Sequence, residues 1–290
     1  MVLLADVIQT VQAAYPPGLA EEWDTGIGLT CGDPAAEITG VLLAVDADQS
    51  TVAEAIDLGV GLLLTHHPLL FRPVQSVAAD TAKGALIHRM ITSGIGHFAA
   101  HTNADKAVGG VNDALAAALG LTVLRPLVPA AADGLAGTDA SAGTETGTGT
   151  GTGSGRIGEL AEPLTLRAFC ALVADRLPAT VTGVRAAGDP DRMLSTIAVC
   201  GGAGDSFLPA AAAAGVDGYL TSDLRHHVVA EFASDPVNPA VIEVSHWAGE
   251  WPWLQVAAAL IGKAHPSLAV TVSTRRTDPW SLCTLPSGAV

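Results

Sequence analysis

Gly59-Val60-Gly61-Leu62-Leu63-Leu64-Thr65-His66-His67-Pro68 is an apolar run that ends in two adjacent imidazoles and a proline. Gly61 to Thr65 reads as a short strand buried on both faces, as strands of parallel sheets are. Pro68 stops it, because proline has no N–H to give to a ladder. The run has a counterpart: Gly215-Val216-x-x-x-Leu220-Thr221 repeats Gly59-Val60-x-x-x-Leu64-Thr65. In each case an apolar strand lies the same distance upstream, from Val41 in the first and from Ile197 in the second. Matched strand–helix–strand spacing predicts two related α/β lobes. Coincidence in a chain rich in Ala, Gly and Val is the competing explanation. The second copy carries Ser222-Asp223 where the first carries His66-His67, so any ligand set has diverged between the lobes.

Outward from this run, strand-like and helix-like segments alternate. Gly40–Val45 and Gly96–Ala100 read as strands, and Gln49–Leu58, Lys83–Ser93 and Val111–Leu119 as helices. Met1–Ala14 has an amphipathic helical pattern. Later in the chain, Leu164–Leu177, Ser206–Ala214 and Trp251–Ile261 read as helices. Thr196–Cys200, Gly218–Thr221, Val241–Val244 and Leu268–Ser273 read as strands. The rhythm predicts an α/β fold: two related α/β lobes with mixed sheets flanked by helices, ligands from both chain ends meeting in a cleft. Residues 129–155 are rich in Gly, Thr, Ala and Ser and carry no aromatic residue, which predicts a flexible linker. The expected organisation is an N-terminal lobe over 1–128, that linker, a second lobe over 156–240, and a C-terminal segment over 241–290 that packs back toward the first lobe and completes the site.

Composition bounds the function. The chain has 290 residues and a formal net charge of −15, with no basic patch, which argues against binding to double-stranded nucleic acid. The four cysteines are far apart and form no CxxC pair, so neither a zinc ribbon nor a disulfide framework is expected. Free thiols suit a reducing cytoplasm. No apolar run reaches membrane-spanning length, and the N-terminus lacks the basic region of a signal peptide.

Three segments carry chemistry: His66-His67, His101-Thr102-Asn103-Ala104-Asp105 and His246-Trp247-Ala248-Gly249-Glu250. Each follows a predicted strand, and strand ends gather on the edge of a parallel sheet where α/β folds build sites. Imidazole nitrogen and carboxylate oxygen together suit divalent transition metals, and a shared carboxylate can bridge two of them. Hydrogen-bonded structural histidines are the alternative, which three such clusters among nine histidines disfavour. His246 is expected just before a helix and Glu250 at its start. Gly201-Gly202-Ala203-Gly204 admits two readings, a phosphate-holding turn or a tight structural one. Asp223, His226 and His227 form either a second ligand set or a capped helix start. Trp247, Trp251 and Trp253 either wall the pocket or pack the core.

The residues also resemble a known family. Trp23-Asp24-Thr25-Gly26-Ile27-Gly28-Leu29, Thr65-His66-His67-Pro68-Leu69, His101 to Asp105 with Gly109-Gly110-Val111-Asn112-Asp113, Arg156-Ile157-Gly158-Glu159-Leu160, and Ser245-His246-Trp247 through Glu250 occur in the order found in the GTP cyclohydrolase 1 type 2 family, also called NGG-one-interacting-factor-three-like. The resemblance implies that His66, His67, Asp105, His246 and Glu250 ligate two divalent ions, with Glu250 as the bridge and His101 as an adjacent pocket residue. It also implies a homohexamer whose sites face an internal cavity. Thr25 replaces the usual Asn, and Ala248-Gly249 stand where a polar residue often precedes the Glu; neither removes a ligand.

The function expected is a metal-dependent hydrolase acting on a small, nucleotide-like molecule, with His101 as proton shuttle. A non-enzymatic metal-binding or regulatory oligomeric scaffold is the alternative. Zinc, iron, manganese or nickel all suit the donor set.

Overall fold

The computed structural model describes residues 1–130 and 151–284. Two sheets carry the fold. The first has five strands in the order β13-β4-β5-β6-β2: β2 is Gly28–Cys31, β4 Gly40–Ala44, β5 Leu62–Thr65, β6 Gly96–Ala99 and β13 Ala269–Val272. β13, β4, β5 and β6 run parallel, and β2 closes the edge antiparallel to β6. The second sheet has six strands in the order β7-β8-β10-β11-β12-β9: β7 is Thr122–Pro129, β8 Gly153–Thr165, β9 Arg185–Ala187, β10 Met193–Ala203, β11 Gly218–Ser222 and β12 Ala240–Glu243. A small pair, β1 (Val2–Leu3) and β3 (Glu37–Ile38), stands apart.

The internal repeat is structural. Val41 pairs with Leu62 and Leu43 with Leu64 in the first sheet; Ile197 pairs with Gly218 and Val199 with Leu220 in the second, at the same sequence separation. Both lobes continue with a third parallel strand, β6 or β12, and an antiparallel edge strand, β2 or β9, supplied from upstream of the repeat. Each lobe then lends a strand to the other: β7 joins the second sheet, and β13 returns to the first. The core alternates as a two-sided sheet requires. Val41, Leu43, Leu62 and Leu64 pack on α1 (Leu4–Ala14) and α10 (Pro252–Ala264), while Leu42 and Leu63 face α2 (Gln49–Leu58) and α3 (Ala82–Thr92). α5 (Val111–Ala118) joins the halves: Val111 and Ala114 belong to the first core, Leu115 and Ala116 to the second.

Local signals explain the boundaries. Asp48 caps α2 by accepting from the amides of Ser50 and Thr51, and Gly59 ends it in the left-handed conformation. Thr165 caps α6 (Leu166–Arg176) through the amide of Ala168.

Several expectations need adjustment. Pro129 and residues 153–155, placed in the linker by composition, are strand residues, with Pro129 paired to Gly153; residues 131–150 lie outside the described residues. β12 belongs to the second sheet through Val241 and Tyr219, so the chain turns back toward the first lobe only after Glu243. His246 and Glu250 are the first and last residues of one short helix, α9 (His246–Glu250), which Ser245 precedes without a side-chain capping bond, rather than a pre-helical residue and a helix start. No helix among the described residues is long and apolar enough to cross a membrane.

Candidate metal centre

Every candidate ligand follows the carboxyl end of a parallel strand. His66 and His67 follow β5. Their amides still donate to the carbonyls of Ala44 and Val45, so both residues are fixed before the chain turns at Pro68. Asp105 lies on the short helix α4 (Thr102–Lys106) after β6, and His101 immediately precedes that helix. His246 and Glu250 arrive from the other lobe on α9, after β12.

The hydrogen bonds decide how the imidazoles are used. His66 Nδ1 lies 2.9 Å from the carbonyl of Ala100, which can only accept, so Nδ1 carries the proton. His67 Nδ1 donates to Asp46 at 2.7 Å, His246 Nδ1 to Asp223 at 2.6 Å, and His101 Nδ1 to Asp24 at 3.0 Å. With each Nδ1–H engaged outward, the neutral ring keeps a lone pair on Nε2. Donation of the distal N–H to a carboxylate or carbonyl is the arrangement that orients metal-ligating histidines.

The Nε2 atoms converge on Glu250. His246 Nε2 is 2.9 Å from Oε1, His67 Nε2 3.0 Å from Oε2 and His66 Nε2 3.4 Å from Oε1. His66 Nε2 is also 3.6 Å from Asp105 Oδ1. Apart from the ion-pair contacts just given, His66 Nε2, Asp105 Oδ1 and Glu250 Oε2 are buried without a hydrogen-bond partner. Three such atoms side by side would be costly in a site built only for hydrogen bonding, since an unpaired buried polar group costs about 1–3 kcal/mol. They are the donors a cation needs. Potential donor atoms of His67, His246 and Glu250 lie within 4.8 Å of one another, as do those of His66, His67 and His101. His101, set aside from the ligands in the sequence reading, thus reaches the donor cluster.

Charge points the same way. Burial alone would lower the His67 and His246 pKa values, but Glu250, with Asp46 and Asp223 respectively, raises them to about 10 and about 11. Burial opposes ionisation of Glu250, yet the surrounding imidazoles hold it well below the usual carboxylate range. Burial pushes Asp105 up. The pocket therefore demands positive charge around Glu250, which protons or a cation can supply.

Glycine makes the close approach possible. Gly202 has φ +72°, and a Cβ there would stand 2.7 Å from Glu250 Oε1 and 3.3 Å from His246 Nε2. This assigns the Gly201–Gly204 run a role as backbone wall to the centre. Its amides at Gly201 and Gly204 already donate to Asn112 Oδ1 and the Ser222 carbonyl. His226 and His227 are exposed at the start of α8 (His226–Ala233), which Arg225 precedes as N-cap without a side-chain bond. The tryptophans divide: Trp253 is core and backs the His66 ring at 5.4 Å, Trp251 donates to the Ser273 carbonyl, and Trp247 lines a cavity beside the centre.

Sequence reasoning did not assign the carboxylates that aim the rings: Asp46 was not singled out, Asp24 was quoted only within a motif, and Asp223, read as a ligand or a helix cap, instead orients His246. Asp46 and Asp223 each follow a parallel strand, β4 and β11, and that position was the available signal. Asp24 also accepts from the backbone and hydroxyl of Thr102. The centre opens onto two cavities, one of about 670 Å³ past His101 and Asp105 and one of about 910 Å³ past Asp223 and Trp247.

The profile of Duf34/NIF3 (NGG1p interacting factor 3) matches residues 2–279. The chain belongs to the Duf34/NIF3 family. A Streptomyces coelicolor protein named "GTP cyclohydrolase 1 type 2 homolog" is 46% identical over 96% of this chain and 93% of its own length. A Mycobacterium tuberculosis protein of the same name is 40% identical over 97% of each. Among solved structures, a Bacillus cereus protein related to NIF3 superposes with a TM-score of 0.84 at 25% identity, covering 98% of this chain and 99% of that one. A Staphylococcus aureus protein superposes at 0.83 and 26%, covering 97% and 99%. The NIF3 fold thus spans the chain, and the α/β architecture expected from the strand–helix rhythm is the one found.

Proposed function

We propose that the chain is a dinuclear metal-dependent hydrolase acting on a nucleotide-like substrate. One observation carries this reading: four imidazoles, each anchored through Nδ1, turn Nε2 toward a space that also holds partnerless oxygens of Asp105 and Glu250. His66 and Asp105 would hold one ion and His67 and His246 the other, with Glu250 shared. Zinc, iron, manganese and nickel all suit such donors. Divalent ions bound by these residues would supply a water of lowered pKa and Lewis acidity toward the bond under attack. The chain's own residues do the rest. Asp46 and Asp223 fix the tautomers of His67 and His246. His101, held by Asp24 at Nδ1, lines the cavity of about 670 Å³ with Nε2 left to take and return a proton. Trp253, fully buried against the His66 ring, keeps water from that side.

The names of the relatives support guanine-nucleotide chemistry as the first substrate class to test. A homohexamer, implied by the family resemblance, and a cytoplasmic location, suggested by the free thiols, complete the reading. The test is a metal-replete screen of nucleotides, GTP included, and phosphoesters, with a chelated control and Asp105→Ala. Turnover that chelation and the variant both abolish supports the hydrolase. Stoichiometric metal with no turnover across the panel replaces it with a metal-binding scaffold.

A further inference from the structure

We propose that Trp23 and Phe71 form a stacking platform that binds the planar heteroaromatic ring of the substrate beside the metal centre. This rests on the reading of that centre as the reaction site and specifies what it selects. Trp23 is 58% exposed and Phe71 43% exposed in a chain where aromatic residues are scarce and the large core side chains are buried. The two rings pack edge to face at 5.8 Å. Both also lie against His101, at 6.2 and 6.0 Å, and His101 is 5.2 and 5.6 Å from the rings of His66 and His67. All of these side chains except His66 line the same cavity of about 670 Å³. The exposed aromatic surface therefore faces into the cleft that leads to the donor cluster.

The platform is held rigid. Asp24, next to Trp23, is buried and accepts from His101 Nδ1, the Thr102 amide and the Thr102 hydroxyl. The Asp24 amide donates to the Glu21 carbonyl and that of Thr25 to Trp23, forming a tight turn that presents the indole outward. Gly26 lets this turn lie against the segment that carries Phe71: a Cβ there would stand 2.9 Å from the Pro68 side chain and 3.1 Å from the Leu70 carbonyl. Two loops are thus pressed together at the one place that brings an exposed indole and phenyl side by side. Aromatic faces bind bases through stacking, which tolerates different bases and is lost on truncation to Ala. The occupant that fits is a flat heteroaromatic ring, with a purine as the case to test.

The experiment uses full-length, zinc-loaded protein titrated by calorimetry with GMP and, separately, with ribose 5-phosphate, which lacks the ring. GMP is expected to bind at least about 10-fold more tightly. Trp23→Ala and Phe71→Ala are each expected to weaken GMP binding by about 5- to 100-fold. They should leave zinc content and ribose 5-phosphate binding unchanged, and Trp23→Phe should restore most of the affinity. Equal affinity for the two ligands, no GMP binding, or an equal loss for both ligands in the Ala variants overturns the platform. So does a fall in assembly mass by light scattering in those variants, which would make the pair a subunit contact. Platform-dependent GMP binding without turnover of any substrate would overturn the hydrolase reading and leave the platform standing. Hydrolysis of a guanine nucleotide at an unchanged rate and KM in Trp23→Ala and Phe71→Ala would do the reverse.

Discussion

Asp223 occupies, in the second lobe, the repeat position that His67 occupies in the first, and it accepts the Nδ1–H of His246 at 2.6 Å. One half of the duplicated frame supplies a donor where the other supplies the carboxylate that aims a donor. Asp223 holds this place with φ 57°, a left-handed conformation uncommon for residues other than Gly, Asn and Asp. Asp223→Asn keeps that backbone accessible while removing the charge. Metal affinity, read by competition with a chromophoric chelator, should fall about 10- to 100-fold with little change in thermal stability. Unchanged affinity would show that the Asp223–His246 bond has no part in aiming the ring.

Gly202→Ala should be more severe than its size suggests. The added methyl would meet Glu250 Oε1 at 2.7 Å, at a residue with φ +72°. Bound metal measured by elemental analysis should drop by half or more, and stability should fall by roughly 1–2 kcal/mol from the strained backbone alone. A variant with full metal content would mean that Glu250 can move away from its neighbours at no cost to the centre.

Metal uptake should release protons. His67 and His246, raised to about 10 and about 11 by Glu250 and their other carboxylate partners against the opposing effect of burial, are protonated in the metal-free protein at neutral pH. Ligation requires them neutral, so apparent affinity should rise steadily from pH 6 to pH 9. Calorimetry in buffers of different ionisation enthalpy should show net proton release. For the metal-free protein the stabilising contribution of these two groups is complete below the unfolded histidine pKa of 6.5. It is lost as pH rises through about 10 to 11. Thermal melts should therefore show metal-free protein losing stability at alkaline pH and metal-loaded protein keeping it.

His97 has the opposite sign. Burial in β6 lowers its pKa from 6.5 to about 4. Thr65 Oγ1 donates to the His67 carbonyl and accepts from His97 Nε2 at 2.9 Å, so the ring is neutral with its proton on Nε2. The unfolded chain takes up a proton between these pH values and the folded chain does not. Stability is therefore complete above 6.5 and falls with pH by about 3 kcal/mol on reaching 4. Denaturant melts at pH 7 and pH 5 on His97→Gln should show a flatter acid slope than the parent; an identical slope would assign the acid sensitivity elsewhere.

The parallel strands β4, β5 and β6 were legible because each is a short, fully buried apolar run, and the ligand segments because each follows a predicted strand; β2, only partly buried along its length, was not read as a strand. β7 and β8 were not. Pro126, Pro129 and Arg125 break the pattern of one, and Glu159, Glu162 and Pro163 that of the other. Their pairing depends on partners across residues 131–150, which no local periodicity encodes. Arg156 shows the same limit. It is fully buried, forked onto Asp113 and bonded to the carbonyls of Ala107, Gly153 and Gly155. The sequence presents it as one member of a motif, while its work is to tie β8 to the loop that leads out of α4. The orienting carboxylates Asp24, Asp46 and Asp223 act across tertiary distances, and only the places of Asp46 and Asp223 after strands and of Asp24 within the Trp23–Leu29 motif hinted at them.

Elemental analysis of untagged protein, saturated with zinc or manganese and dialysed free of excess, tests the metal centre most directly. Two ions per chain are expected for the parent protein, one or fewer for His246→Ala, and almost none for Glu250→Gln. A parent protein that leaves dialysis without stoichiometric divalent metal, or a Glu250→Gln variant that retains both ions, would contradict it.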